Sequence, residues 1–217
     1  MAKVDSGETW RVFCAIDVPH NVRARLMAYV NELREEFPHA KASWSRPDNI
    51  HLTLKFLGEI PQSRVDSLSK AAEHAARSLE PFTVRLDGTG VFPTHDAPRV
   101  LWVGIEDPDA GLGKLYRALE SECRAAGFPR EQRPFHAHIT IARIRRTDAG
   151  SRDLAHRHRK LAFTSDPFKV NTLRVIRSIL DSRGSRYLPL ADCSLGSGPA
   201  QPAETTSAAS TQNHSQT

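Results

Sequence analysis

The chain is poor in anything that would anchor it covalently or to a lipid bilayer. Only three of its 217 residues are cysteine. Cys14, Cys123 and Cys193 are odd in number, widely scattered and without metal-ligand spacing. A disulfide framework and a thiolate metal site are both disfavoured, and a reducing, cytoplasmic setting is the default. No run approaches the roughly 18 apolar residues of a membrane-spanning helix, and the N-terminus, residues 1–10, has no apolar leader stretch. Neither sign of charge dominates, since 30 basic against 25 acidic residues leaves +5. Such an excess attracts polyanions but serves solubility equally well, so the motifs must decide.

What the chain does contain is one pattern written twice. His51-Leu52-Thr53-Leu54 and His138-Ile139-Thr140-Ile141 share the form His-aliphatic-Thr-aliphatic. On a strand, alternate side chains share a face. Each copy therefore turns its His and Thr one way and its two aliphatics toward a core. Around the motifs, the patterning predicts strands at 11–16, 50–57, 82–86, 100–105, 135–143, 168–180 and 187–190. Apolar spacing predicts helices over 22–37, 65–79 and 112–126, closed by Pro38, Pro81 and Gly127. Residues 88–98 form a Gly/Pro-rich connection. From Cys193 onward the composition is Ser, Thr, Ala, Gln, Pro and Gly, which cannot offset its ordering entropy. We therefore expect one domain over 1–192 and a disordered tail over 193–217.

A strand–helix unit precedes each motif strand, 11–37 before His51 and 100–126 before His138. This weak internal duplication predicts an α+β, bilobal, pseudo-symmetric fold. Two mostly antiparallel sheets would carry helices on their outer faces, with the active cleft between the lobes.

Brought together, two imidazoles and two hydroxyls suit a phosphodiester. Histidine titrates near working pH, so one ring can accept a proton while the other donates one. Each threonine can donate a hydrogen bond to a non-bridging oxygen, and no metal is required. A cyclic 2′,3′-phosphate fits well, because water attacks as one ribose oxygen leaves in line.

The stretches 51–58 and 135–143 resemble the two HxTx motifs of the 2H phosphoesterases. Within that superfamily they are most similar to the RNA 2′,3′-cyclic phosphodiesterases, the ThpR/LigT group also named 2′-5′ RNA ligases. Residues 13–17, the Trp44…Pro47…Asn49 approach, 90–93, 98–102 and Ser178…Arg186-Tyr187 add to the likeness, which covers roughly 11–190. The resemblance implies opening of a 2′,3′-cyclic phosphate at an RNA end to a 2′-phosphate. It implies His51 as proton donor, His138 as proton acceptor, Thr53 and Thr140 on the phosphate, no cofactor, and a monomer. In the reverse, ligating direction the two histidines exchange roles. Phe56 and Arg143, each five residues after its histidine, would hold the base and the phosphate. Strict alternation places an i+5 residue on the wrong face, so a bulge or strong twist is needed to re-aim them; a core position is the alternative for Phe56. Lys55 lies on the His51 face by parity and would add positive charge, or would be a solvated surface lysine. Ala137 stands where the family commonly has proline.

Two other readings compete. His136-Ala137-His138 could supply two ligands to zinc, though no third ligand follows in pattern. The basic run Arg145-Arg146 with residues 152–160 could grip RNA phosphates without turnover, or be a solvated loop or helix. His156 and His158 are poor metal ligands beside so many cations. His20, His39, His74 and His95 read as surface or loop residues.

Overall fold

The order strand, helix, motif strand occurs twice along the chain, and the structure, a computed structural model, builds both copies. It describes residues 7–181 and 184–196. The first copy is β1 (Thr9–Asp17), α1 (His20–Glu36), β2 (Ala42–Trp44) and β3 (His51–Pro61), followed by α2 (Val65–Arg77) and β4 (Phe82–Pro93). The second is β5 (Pro98–Glu106), α3 (Gly111–Ala125) and β6 (His138–Ile144), followed by α4 (Ala149–Lys160) and β7 (Phe168–Val170). A hairpin of β8 (Thr172–Asp181) and β9 (Gly184–Ser194) completes the described chain. One sheet has the order β3-β1-β8-β9 and the other β2-β6-β5-β4-β7, and every pairing is antiparallel. The expected α+β, pseudo-symmetric architecture is what forms.

Amphipathic stripes fix the helices. Val22, Leu26, Tyr29, Val30 and Leu33 of α1 are all buried, as one helical face requires; each large apolar side chain contributes about 1.5–3 kcal/mol. Leu112, Leu115, Leu119 and Cys123 do the same for α3. That helix stops at Gly127, whose φ of 77° lets the Phe128 N–H return to the Cys123 carbonyl at 2.9 Å, the closure glycine permits. The halves exchange helices. Although α3 leaves the second sheet, it packs on α2 and β3 of the first. Likewise α1 leaves the first sheet yet meets α4, where the Tyr29 hydroxyl bonds His158 Nδ1 at 2.7 Å. One hydrophobic cluster consequently spans both sheets.

Several boundaries differ from expectation. The predicted strand 168–180 breaks at Asn171: β7 pairs with β4 in one sheet and β8 with β1 in the other. The buried positions change parity at the break, from Phe168 and Val170 to Leu173 and Val175, so the sequence carries a slip that the reading of one continuous strand passed over. The strand expected to end at 86 runs on to Pro93, through a register shift between Leu86 and Thr89. The second motif strand starts at His138, three residues late, and Phe135 instead stacks on Tyr116 at 4.2 Å. Residues 152–160 belong to a helix capped by a reciprocal Asp148–Ser151 box, and His158 is fully buried within it. The last strand extends through the expected tail boundary, with Cys193 and Leu195 buried; residues 197–217 and the turn residues 182–183 lie outside the described chain. Cys14, Cys123 and Cys193 are buried free thiols.

Candidate active site

A cleft of about 740 Å³ opens between the sheets, and both motifs line it. The motif strands β3 and β6 approach each other although they belong to different sheets. The connection is short. β2 pairs with β6, Ser45 Oγ donates to the Thr140 carbonyl at 2.8 Å, and six residues later the chain enters β3 at His51. The first motif is thus hung from the strand that carries the second.

The two motifs share one burial pattern. From His51 to Phe56 and from His138 to Arg143 it reads half-buried, buried, half-buried, buried, buried, exposed. Its cause is a bulge at the fourth motif residue. Against β1, Ala15 pairs with Thr53 and Cys14 with Lys55, leaving Leu54 extra. Against β5, Trp102 pairs with Thr140 and Leu101 with Ala142, leaving Ile141 extra. One extra residue reverses the parity downstream. Phe56 and Arg143 therefore return to the cleft and line it. The same bulge corrects the expectation for Lys55, which turns away from His51. Lys55 is only 3 % exposed, and its Nζ donates to Glu120 Oε1 at 2.6 Å and the Pro129 carbonyl at 2.9 Å.

Each imidazole is backed by aromatic rings. Phe13 and Tyr187 lie 4.8 and 5.1 Å from His51, centroid to centroid. Phe92 and Trp102 lie 5.2 and 6.2 Å from His138. Trp102 can sit there because Gly90, its partner across β4 and β5, leaves the space a Cβ would take. Burial pushes the His51 pKa down from 6.5 to about 4, with Asn49 and Asp17 opposing and Arg143 assisting. Burial also lowers that of His138. Desolvation disfavours the charged ring, so both are neutral in the free protein at neutral pH. His138 Nδ1 donates to the His136 carbonyl at 2.7 Å, which leaves the Nε2 lone pair as the free acceptor. His51 likewise bonds the Asn49 backbone. Neither threonine hydroxyl has a partner among the described residues.

The electrostatics favour an anion. Arg11, Arg34, Arg46, Arg143 and Arg145 line the cleft, and among the described residues no carboxylate does. Arg143 lowers the pKa of both histidines, so its charge bears on both rings. Arg11 lies over the Phe56 ring at 4.6 Å. From the basic run, Arg145 reaches the cleft, whereas α4 supplies none of its lining. Among the described residues no third His, Cys, Asp or Glu joins His136 and His138 in a group that could hold zinc. His156 meets His95 and Asp96 on the surface instead, outside the cleft. Sequence reasoning did not assign Phe13, Phe92, Trp102 and Tyr187 to the site; their signal was only that they lie in stretches resembling the family.

Comparison with known proteins places the chain in a family. The pattern of the LigT-like phosphoesterase family matches twice, over residues 16–102 and 103–187. An RNA 2′,3′-cyclic phosphodiesterase of Thermotoga maritima is 30% identical over 188 residues, covering 87% of this chain and 97% of that protein. A crystal structure of a Thermus thermophilus protein superposes with a TM-score of 0.72 at 30% identity, covering 87% of this chain and all of that one. Escherichia coli LigT in complex with 3′-AMP gives 0.68 at 28% identity, covering 87% and 99%. With one match in each half, and with each half sending a His-x-Thr strand to the same basic cleft, the chain belongs to the LigT-like phosphoesterase family.

Proposed function

We propose that this protein hydrolyses the 2′,3′-cyclic phosphate at RNA ends to a 2′-phosphate by paired-histidine acid–base catalysis, without a metal. The observation that carries the proposal is the shared cleft, which two His-x-Thr pairs and Arg143 line together. His138 Nε2 takes a proton from water as its oxygen attacks phosphorus. The P–O3′ bond breaks and His51, protonated, delivers its proton to O3′. Thr53, Thr140 and Arg143 hold the non-bridging oxygens, and their hydrogen bonds strengthen as charge builds there. Phe56 offers a face for the base. With a 5′-hydroxyl in place of water, the same steps join two ends: O5′ gives up its proton and attacks phosphorus, the P–O3′ bond breaks, O3′ takes up a proton, and a 2′-5′ linkage remains.

Three things support this reading. Relatives such as the T. maritima protein are named for this activity, E. coli LigT has been crystallised with 3′-AMP, and the unpartnered hydroxyls and guanidinium fit a phosphoryl group. We place the enzyme in the cytoplasm as a monomer acting on RNA ends or nucleotides. The test is product analysis of an RNA bearing a 2′,3′-cyclic end, incubated with the protein in strong chelator. A 2′-phosphate product is expected, with His51→Ala and His138→Ala each lowering kcat by about 10²–10⁴. Binding without turnover, or turnover abolished by chelator, would refute the proposal.

A further inference from the structure

A single cyclic phosphate carries one negative charge, and Arg143 suffices to meet it. Four more guanidinium groups line the same cleft. Two of them are already engaged. Arg11 lies over Phe56, and Arg46 donates to the Ser185 carbonyl at 2.6 Å. Arg34 and Arg145 are different. Arg34 projects from the last turn of α1 and has no hydrogen bond or ion pair among the described residues. Arg145 follows β6 directly, and its backbone N–H donates to the Lys41 carbonyl at 2.7 Å. Its Nε donates to Ser43 Oγ at 2.5 Å, which orients the guanidinium while leaving both terminal amino groups for the cleft. Like charges gathered with no counter-ion among the described residues raise the local potential, and a polyanion relieves it.

Spacing says which anion. Arg143 and Arg145 both line the cleft, with buried Ile144 between them turned to the core. Two residues along a strand span about 6.6 Å, comparable with the separation of successive phosphates in an extended single strand. A 3′-terminal cyclic phosphate has a neighbouring phosphate only on its 5′ side. We propose that Arg34 and Arg145 form a second phosphate subsite, which receives the 5′ phosphate of the nucleotide whose cyclic end occupies the histidines. The preferred substrate is then an RNA end, in which that phosphate is internucleotide, over a free cyclic nucleoside phosphate. The inference rests on the cyclic-phosphate reading above.

Three substrates test it in metal-free buffer: adenosine 2′,3′-cyclic phosphate, the same compound with a 5′-phosphate, and the ApA dinucleotide with a cyclic end. The second and third should exceed the first in kcat/KM by about ten-fold or more, as charge-assisted hydrogen bonds to one phosphate allow. In an Arg34→Ala/Arg145→Ala double variant that advantage should shrink below about two-fold. The salt dependence of dinucleotide turnover, as log kcat/KM against log salt, should flatten by about 0.7. Both side chains are exposed, so the fold should survive, and an unchanged melting temperature verifies it. Equal rates on all three substrates, or an advantage that survives the double substitution, overturns the subsite while the cyclic-phosphate reading stands. A gain for the dinucleotide alone overturns it in favour of a base contact. Failure of the wild-type protein on every substrate defeats the cyclic-phosphate reading, and the subsite falls with it.

Discussion

Acidification is the most direct perturbation of this site, because the aromatic wall around His51 acts on its protonation. The fall from 6.5 to about 4 means that charging His51 in the empty cleft costs about 3 kcal/mol more than in water. In the fold the ring stays neutral until about pH 4, whereas the unfolded chain protonates it near 6.5. The stability tied to that difference is complete above about pH 6.5 and is lost as the pH falls toward 4. Denaturant unfolding at about pH 7 and pH 4.5 should therefore show a smaller acid loss in His51→Gln than in the wild type, by about 2–3 kcal/mol. Catalysis carries the same signature. At pH 7 only about one empty site in 10³ holds a proton on His51. Since kcat/KM reports the free enzyme, it should peak in the acid range and fall about ten-fold per pH unit above the His138 titration, itself below 6.5. A bound phosphate favours the imidazolium, so the alkaline limb of kcat should lie at higher pH. Should kcat/KM stay level from about pH 5.5 to 8.5, or should His51 titrate at its ordinary value by NMR, the desolvation argument is wrong.

Thr53→Val and Thr140→Val each remove one hydrogen bond to a charged group, worth about 1.5–3 kcal/mol; kcat/KM should drop about ten- to 150-fold with little change in melting temperature. Lys55→Met strands the Glu120 carboxylate under β3 and should destabilise the fold by about 3–5 kcal/mol, while Lys55→Met/Glu120→Leu recovers most of that loss; denaturant titration of both variants decides it. Gly90→Ala drives a methyl into the Trp102 indole. It should lower stability by about 1–3 kcal/mol and shift the His138 resonance in an NMR pH titration, because the displaced indole backs that ring.

Local chemistry was legible and long-range pairing was not. His51, Thr53, His138 and Thr140 could be placed on one face from alternation alone, and the stripe from Val22 to Leu33 specified α1 with its buried face. Parity then failed at Lys55, because a bulge is a property of two strands and only the register against β1 reveals it. The break at Asn171 left a trace, the change of parity from Val170 to Leu173, but nothing in that slip says that the neighbour changes from β4 to β1. His158 looked like part of a solvated basic run, yet Tyr29 and the Trp102 carbonyl satisfy both ring nitrogens in the interior. Nothing near residue 158 in the sequence announces partners 129 and 56 positions away.

The duplication also explains how a near-symmetric pair of strands can act on a substrate that has no symmetry. Both motifs carry the same bulge and hence the same route back into the cleft at the sixth residue. That position is Phe56 in one copy and Arg143 in the other. The two motif strands are thus alike down to this bulge, and a difference of side chain at equivalent places puts an aromatic ring on one flank and a guanidinium on the other. Phe13, Phe56 and Tyr187 gather on the first sheet, where Arg11 is held over the Phe56 ring, and Arg143 with Arg145 on the second, together with Trp44. A nucleotide has this polarity too, with its base on one flank of the ribose and its phosphates on the other. Exchanging the pair in Phe56→Arg/Arg143→Phe should therefore not reproduce the enzyme in mirror image. His51 keeps its aromatic wall and low pKa, His138 loses the adjacent cation, and Arg145 is left on the wrong flank from the phosphate. Activity on a cyclic dinucleotide end should fall at least as far as in Arg143→Ala alone. Recovery by the exchange would mean that the two flanks are interchangeable, and that the bulges serve the fold alone.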